Sequence, residues 1–335
     1  MNRAPRLHII CERDVGLFSL VQQVISQMPW AIAEDRIPIV YFGDQTCYWT
    51  PNGYRGADTV WEYYFEPVHP GFAVANIPKR VRADIAANRP TPYEIGHLVS
   101  DEAFVSCHFG DHSLLRGLSL RIPYEWDDPD ERLRREAKEI LNDSVRPRSY
   151  ILQKVEDFYA RHLAGHHVIG VHARGTDATS TREVRAFRNN SLVLSRYTSE
   201  IEDLLERHPR AKIFVATDEE SSLRQLEAAF PQRVISYDSV RHQDGEQPAG
   251  QGPTGWIMPG YIAADRDVAA RNGEDAIIEY LLLSRCQYLV HNGSSLARTV
   301  LLNAPNLAHT NTHRRPGSEG PPSQVEHSRT GQVSA

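Results

Sequence analysis

The chain has 335 residues, 41% hydrophobic and 24% charged, with 21 glycines and 21 prolines, a balance that excludes disordered, collagen-like and coiled-coil classes. Single cores rarely grow past ~250–300 residues, so two units of roughly 150 residues with a cleft between them are expected. The net charge of −6 and the pI near 6.2 argue against whole-surface attraction to nucleic acid or to an anionic membrane.

Leu7 to Cys11 reads as a first strand. Followed at once by Glu12-Arg13-Asp14, it is too short for a signal peptide, and no stretch approaches the ~18 apolar residues of a membrane span. A cytoplasmic protein without a membrane span is the expectation. A loop with Gly16 leads into a helix from about Leu17 to Met28, and Ile37 to Tyr41 reads as a second strand. The aromatic region from Tyr48-Trp49 through Trp61, Tyr63, Tyr64 and Phe65 has no clear period. A buried hydrophobic cluster is its first reading, and exposed rings that stack on sugars are the alternative. The mixed charges from Asp127 to Glu139 suit a solvated helix face. Tyr150 to Leu163 reads as a helix near the junction of the two units, with Ile151, Val155, Phe158 and Tyr159 on one side.

The second half alternates strand and helix more clearly. His167 to His172 begins it, and a helix from about Ser191 to His208 follows, with Ser199 and Glu202 as its capping box. Next come a strand Ile213 to Thr217, a helix capped by Asp218 and a strand Val234 to Tyr237. After a long loop, a helix from about Glu274 to Arg285 precedes the strand Tyr288 to His291. Ser294 caps a helix to about Asn303, and Asn306 to His309 reads as a last strand. The pattern predicts a parallel sheet covered by helices on both faces, with ligands at the carboxyl ends of its strands. The loop from Asp238 to Arg271 is long enough to suggest a lid that orders on nucleotide. After His313 the tail has few apolar residues and is expected to be disordered.

Cys11, Cys47, Cys107 and Cys286 form no C-x-x-C pair, so reduced thiols are expected rather than a disulfide framework or zinc knuckle. Of 37 basic residues only Lys79, Lys138, Lys154 and Lys212 are lysines. Arginine suits planar phosphate recognition, and a GC-rich genome gives the same bias.

Three segments carry chemistry. In Val171-His172-Ala173-Arg174-Gly175-Thr176-Asp177, alternation puts His172 and Arg174 on one side of the strand, and Gly175 permits a sharp turn. A guanidinium there can hold a diphosphate and stabilise its departing charge; an Arg174–Asp177 pair that fixes the turn is the plainer reading. In Ala216-Thr217-Asp218 the carboxylate is an N-cap or a partner for purine or ribose. In His291-Asn292-Gly293-Ser294-Ser295-Leu296-Ala297-Arg298 a helix begins on glycine and two serines. Its N–H groups and dipole attract phosphate, or simply form a capped start.

The order HxRxTD, ATD, SSxxxR resembles the three peptide motifs of the α-1,6-fucosyltransferases, of the nodulation and N-glycan core types, and of the related protein O-fucosyltransferases. The resemblance covers residues 165 to 305 well and the first half in outline. It implies an α/β GT-B glycosyltransferase, two Rossmann-like domains facing a cleft. Residues 1–150 would bind the acceptor, residues 151–312 would bind a nucleotide sugar, and residues 313–335 would form the tail. It further implies inverting transfer of fucose from GDP-fucose to a hydroxyl of a glycan or other acceptor, with no metal and no cofactor. Carried over, Arg174 contacts the β-phosphate, His172 lies in the nucleotide pocket and Asp218 recognises the nucleoside. Ser294 and Ser295 lie near the diphosphate, and Asp177 matches the motif aspartate. Glu183 lies close to a glutamate proposed as base in some relatives. Several relatives carry a second arginine where this chain has Gly175.

Two further patterns are weighed beside these. Asn272-Gly273-Glu274-Asp275 places acidic residues at a helix start, which the dipole explains. Asp265-Arg266-Asp267 fits the D-x-D pattern of metal-dependent glycosyltransferases but sits late in a loop. A GT-B transferase of another nucleotide sugar and a non-catalytic nucleotide- or sugar-binding protein are the competing functions.

Overall fold

The computed structural model describes residues 5–13, 15–91, 94, 96–100, 102–108, 120–122, 128–175, 194–243, 249–251, 257–259 and 265–312. In the first half, β1 (Leu7–Cys11) pairs in parallel with β2 (Ile37–Tyr41) and with β4 (Ala103–Ser106), while β3 (His97–Ser100) runs antiparallel on the edge. The sheet order is β2-β1-β4-β3.

Helix α1 (Leu17–Ala33) runs past the expected Met28 and through Pro29 to Ala33. It is buried nearly all round, which for a helix means a place inside the molecule. Its polar residues are therefore hydrogen-bonded. Gln22 Nε2 donates to the Ser295 carbonyl and to Thr299 Oγ1, Gln23 to the Cys11 carbonyl and Gln27 to the His108 carbonyl.

The aromatic region folds as core. Helix α2 (Val60–Tyr64) buries Trp61, Tyr63 and Tyr64 completely, Phe65 follows, and Trp61 lies edge-on to Phe42 at 5.9 Å. Tyr48 is buried too. The sugar-stacking alternative fails for these rings because none offers a face to solvent. A 3-10 turn (Val74–Asn76) and α3 (Lys79–Ala87) complete this part. Helix α4 (Glu131–Ser144) has the expected solvated face, with Arg132–Glu136 and Arg135–Glu131 pairs, and buries Ala137 and Leu141. Helix α5 (Ser149–His162) buries Ile151, Val155 and Phe158 as its spacing predicts.

The second sheet is all parallel: β5 (Val168–Ala173), β6 (Lys212–Thr217), β7 (Val234–Ser236), β10 (Tyr288–His291) and β11 (Ala308–Asn311), in the order β11-β10-β5-β6-β7. The last strand starts two residues later than expected. Every residue of β5 is buried, as befits a central strand covered on both faces. Helix α6 (Leu194–Arg207) contains Ser199 in its interior, so the Ser199–Glu202 capping box is not its start. Helix α7 (Glu220–Ala229) follows β6.

The loop between Asp238 and Arg271 is shorter than expected, because β8 (Ala249–Gln251) and β9 (Ile257–Pro259) pair within it and α8 (Arg266–Leu283) has already begun. Part of the expected lid, residues 244–248, 252–256 and 260–264, lies outside the described residues. Asp265 starts α8, its Oδ1 accepting from the Asp267 and Val268 amides at 2.9 and 3.3 Å. The D-x-D pattern therefore marks a helix start, with Asp267 accepting from Thr50 Oγ1. Glu274 and Asp275 lie within the helix, so the dipole does not explain them. Instead, Glu274 is buried and accepts hydrogen bonds from Tyr54, Arg55 and Lys154.

Helix α9 (Ser295–Asn303) is capped as predicted, Ser294 Oγ accepting from the Ala297 amide. It packs on α4 and α1, so one continuous apolar core runs from Ile10 to Leu307 through both halves. Among the described residues no helix is long and apolar enough to cross a membrane. The tail from residue 313 lies outside the described residues.

Candidate active site

Counted from β5, the second sheet reads 3-2-1-4-5 from its β7 edge. The chain leaves β5 toward β6 and β7, then returns to the other side of β5 as β10. The carboxyl ends of β5 and β10 thus border the crevice where such sheets bind ligands. Arg174-Gly175 ends β5, and Asn292-Gly293-Ser294 ends β10. The two turns are joined by Asn292 Nδ2, which donates to the Arg174 carbonyl at 3.0 Å.

Arg174 is partly exposed and reaches toward the first half. Its Nη1 lies 3.8 Å from where a Cβ on Gly16 would stand. Gly16 precedes α1, whose Leu17 amide donates to the Tyr48 hydroxyl at 3.1 Å. The guanidinium therefore sits beside the start of α1, and the start of α9 adjoins both, tied to the Arg174 turn through Asn292 and to α1 through Ser19 and Ser295; such helix N-termini favour negative charge. His172 is buried on the same strand. Burial, reinforced by the Arg174 charge, lowers its pKa to about 3, so the ring is neutral. Its nitrogens make no hydrogen bond of ordinary geometry, although the Ala216 backbone partly offsets the shift.

Ser294 and Ser295 are already engaged. Ser294 caps α9, while Ser295 Oγ meets Ser19 Oγ at 2.8 Å and accepts from Arg298 Nη2 at 3.0 Å. Their hydroxyls tie α9 to its own first turn and to α1, and what they present to a ligand is the helix start itself. Arg298, the arginine of SSxxxR, is 4% exposed. Its signal was its place on the turn after the capping serine. Asp177 and Glu183 lie outside the described residues.

Asp218 does not cap α7. Its Oδ1 accepts from the Gly175 amide at 2.8 Å, and its carbonyl from the His242 amide at 2.9 Å, joining the ends of β5 and β6 to the following loop. Glu219 precedes α7 without a side-chain cap bond. Beneath the same loop, Glu279 of α8 is buried, with Ser239 Oγ donating to its Oε1 at 2.6 Å. Burial pushes its carboxyl up from 4.5 to about 8 against the pull of Ser239 and Arg241. The fold thus holds this proton more tightly than the unfolded chain. The contribution to stability is full below 4.5 and lost as the pH rises to about 8. Glu279→Gln is therefore expected to gain stability relative to wild type as the pH is raised across that window, in paired thermal melts. A constant offset across the window would refute it.

Among the described residues, Asp128, His291 and His309 bring three possible ligand atoms within 4.8 Å of one another. The hydrogen bonds around them favour a different use. His291 Nδ1 accepts from the Gly293 amide at 2.9 Å, and His309 Nε2 meets the Arg134 guanidinium, which can only donate. The facing nitrogens, His291 Nε2 and His309 Nδ1, stand 3.0 Å apart, and the Asp128 oxygens lie 3.8 and 4.0 Å from them, Oδ1 accepting from Asn311 Nδ2 at 3.1 Å. The trio ties the turn at Gly293 to α4 and β11.

The two α/β units, the second with a doubly wound parallel sheet, have the GT-B fold, as the motif resemblance implied. Among solved structures, the chain is similar to NodZ α-1,6-fucosyltransferase soaked with GDP-fucose, at 17% identity and a TM-score of 0.54, covering 90% of this chain and 93% of that one. It is similar to the fucosyltransferase NodZ from Bradyrhizobium at 17% identity and a TM-score of 0.51, with 91% and 94% covered. POFUT1 in complex with GDP matches at 13% identity and a TM-score of 0.50, with 92% and 99% covered. No protein-family model and no curated protein matches the chain.

Proposed function

We propose that the protein is an inverting, metal-independent glycosyltransferase that transfers fucose from GDP-fucose to a hydroxyl of a glycan or other acceptor. In this reading residues 151–312 bind the donor and residues 1–150 the acceptor. The observation that carries it is the Arg174 guanidinium beside the start of α1, with the start of α9 tied to the same turn through Asn292, at the crevice of a GT-B fold. The structures similar to it include a transferase soaked with GDP-fucose and one in complex with GDP.

The donor diphosphate would lie against Arg174 and the start of α9. An acceptor hydroxyl attacks the anomeric carbon from the opposite face. The bond from that carbon to the β-phosphate oxygen breaks, its electron pair stays on the oxygen, and GDP departs. Arg174 stabilises the charge that builds there. The acceptor's proton passes to a carboxylate, the role proposed for Glu183, and a part in holding the Arg174 turn is proposed for Asp177.

A thermal-shift panel of GDP, UDP, ADP and CMP, with and without manganese, tests the donor. A nucleotide at ~100 times its dissociation constant stabilises the native state by roughly 2.7 kcal/mol. Selective stabilisation by GDP without metal is expected. Preference for UDP, or a requirement for manganese, would overturn the proposal in favour of a different nucleotide sugar.

A further inference from the structure

The resemblance gives Asp218 to the nucleoside, yet that carboxylate already closes the joint between β5 and β6 through the Gly175 amide. The next residue stands differently. The carboxylate carbon and two oxygens of Glu219 lie 2.4, 2.5 and 2.7 Å from where a Cβ on Gly175 would be. The acid is thus folded back over the turn that carries Arg174, in space that a side chain at position 175 would need. Its Oε2 accepts from Ser222 Oγ at 2.7 Å. Its Oε1 receives no hydrogen bond among the described residues. Glu219 is partly exposed, so that oxygen can meet a ligand.

Position adds to this. With phosphate at the ends of β5 and β10, a nucleoside extends along the sheet edge toward β6, the second strand of the doubly wound unit. In dinucleotide-binding sheets the acid at the end of the second strand accepts from the ribose hydroxyls. We propose that Glu219, rather than Asp218, binds the ribose hydroxyls of the donor nucleotide, so that the site requires a ribonucleotide. The proposal rests on the donor reading above. It also accounts for Gly175: the carboxylate that recognises ribose fills the room a second arginine would use.

The test is isothermal titration of the full chain with GDP, ADP and UDP, followed by the 2′-deoxy form of whichever binds most tightly. Wild type is expected to favour the ribonucleotide by about tenfold to a hundredfold, the scale of one hydrogen bond to a charged acceptor. Glu219→Ala is expected to bring that ratio close to one, and Glu219→Gln, whose amide oxygen still accepts, to lower it part of the way, both while still binding the deoxynucleotide. A loss of folding or of general packing would weaken both ligands alike and leave the ratio unchanged. An unchanged ratio in both variants, or equal affinity for the two forms in wild type, overturns the assignment of Glu219 and leaves the donor reading standing. If no nucleotide binds to wild type, both readings fall.

Discussion

Arg174→Ala is expected to lower turnover by a factor of ~10² or more, the effect of removing a principal donor to the charge that forms as the diphosphate leaves. The loss should appear in kcat, because the bound diphosphate of the donor carries less charge at the breaking bond than the departing one. Folding should survive. The guanidinium is partly exposed, and the backbone carbonyl that joins β5 to β10 through Asn292 is untouched by the change. Arg174→Lys keeps the charge without the planar fork and should recover only part of the rate. Near-normal turnover in a correctly folded Arg174→Ala protein would remove this residue from the mechanism.

Trp61→Ala is expected to cost about 3–5 kcal/mol of stability, the usual range for emptying a fully buried aromatic site. Trp61 is 1% exposed, its Nε1 donates to the Glu66 carbonyl at 3.1 Å, and its ring packs on Phe65 at 4.5 Å. Denaturant unfolding measures the loss directly. The same variant separates the two readings of the aromatic region, since a sugar-stacking tryptophan would leave stability near wild type and abolish acceptor binding instead.

The second sheet was legible because its strands are short apolar runs with polar turns at their carboxyl ends. His172-Ala173-Arg174-Gly175 and Gly293-Ser294 carried both topology and site in one stretch of chain. What sequence hid was long-range pairing. Asp218 has the residue type and position of an N-cap, and only the approach of the Gly175 amide from the neighbouring strand claims its carboxylate. Glu274 has the type of a residue at a helix start, but Asp265 begins the helix earlier, and the helix then carries Glu274 inward to Lys154, Arg55 and Tyr54. Glu219 drew no notice because an acid after an acid at a strand end looks like solvated charge. The helix from Leu17 continues past Met28 because Trp30 finds a buried place there against His8 and Phe104.

That helix also bears on how this molecule can be re-engineered. Beside apolar contacts such as Phe18 on Tyr280, the polar residues of α1 that touch the second half are individually matched: Ser19 to Ser295, Gln22 to the Ser295 carbonyl and to Thr299. A chimera that took residues 1–150 from another transferase would bring a foreign α1 to a surface keyed to this one. It would remove the Gln22 donor from Thr299 Oγ1 and from the Ser295 carbonyl, leaving them only their bond to each other, at about 0.5–1.5 kcal/mol for each hydrogen bond lost. Acceptor exchange would therefore be better attempted by grafting loops onto the existing first half than by replacing it whole.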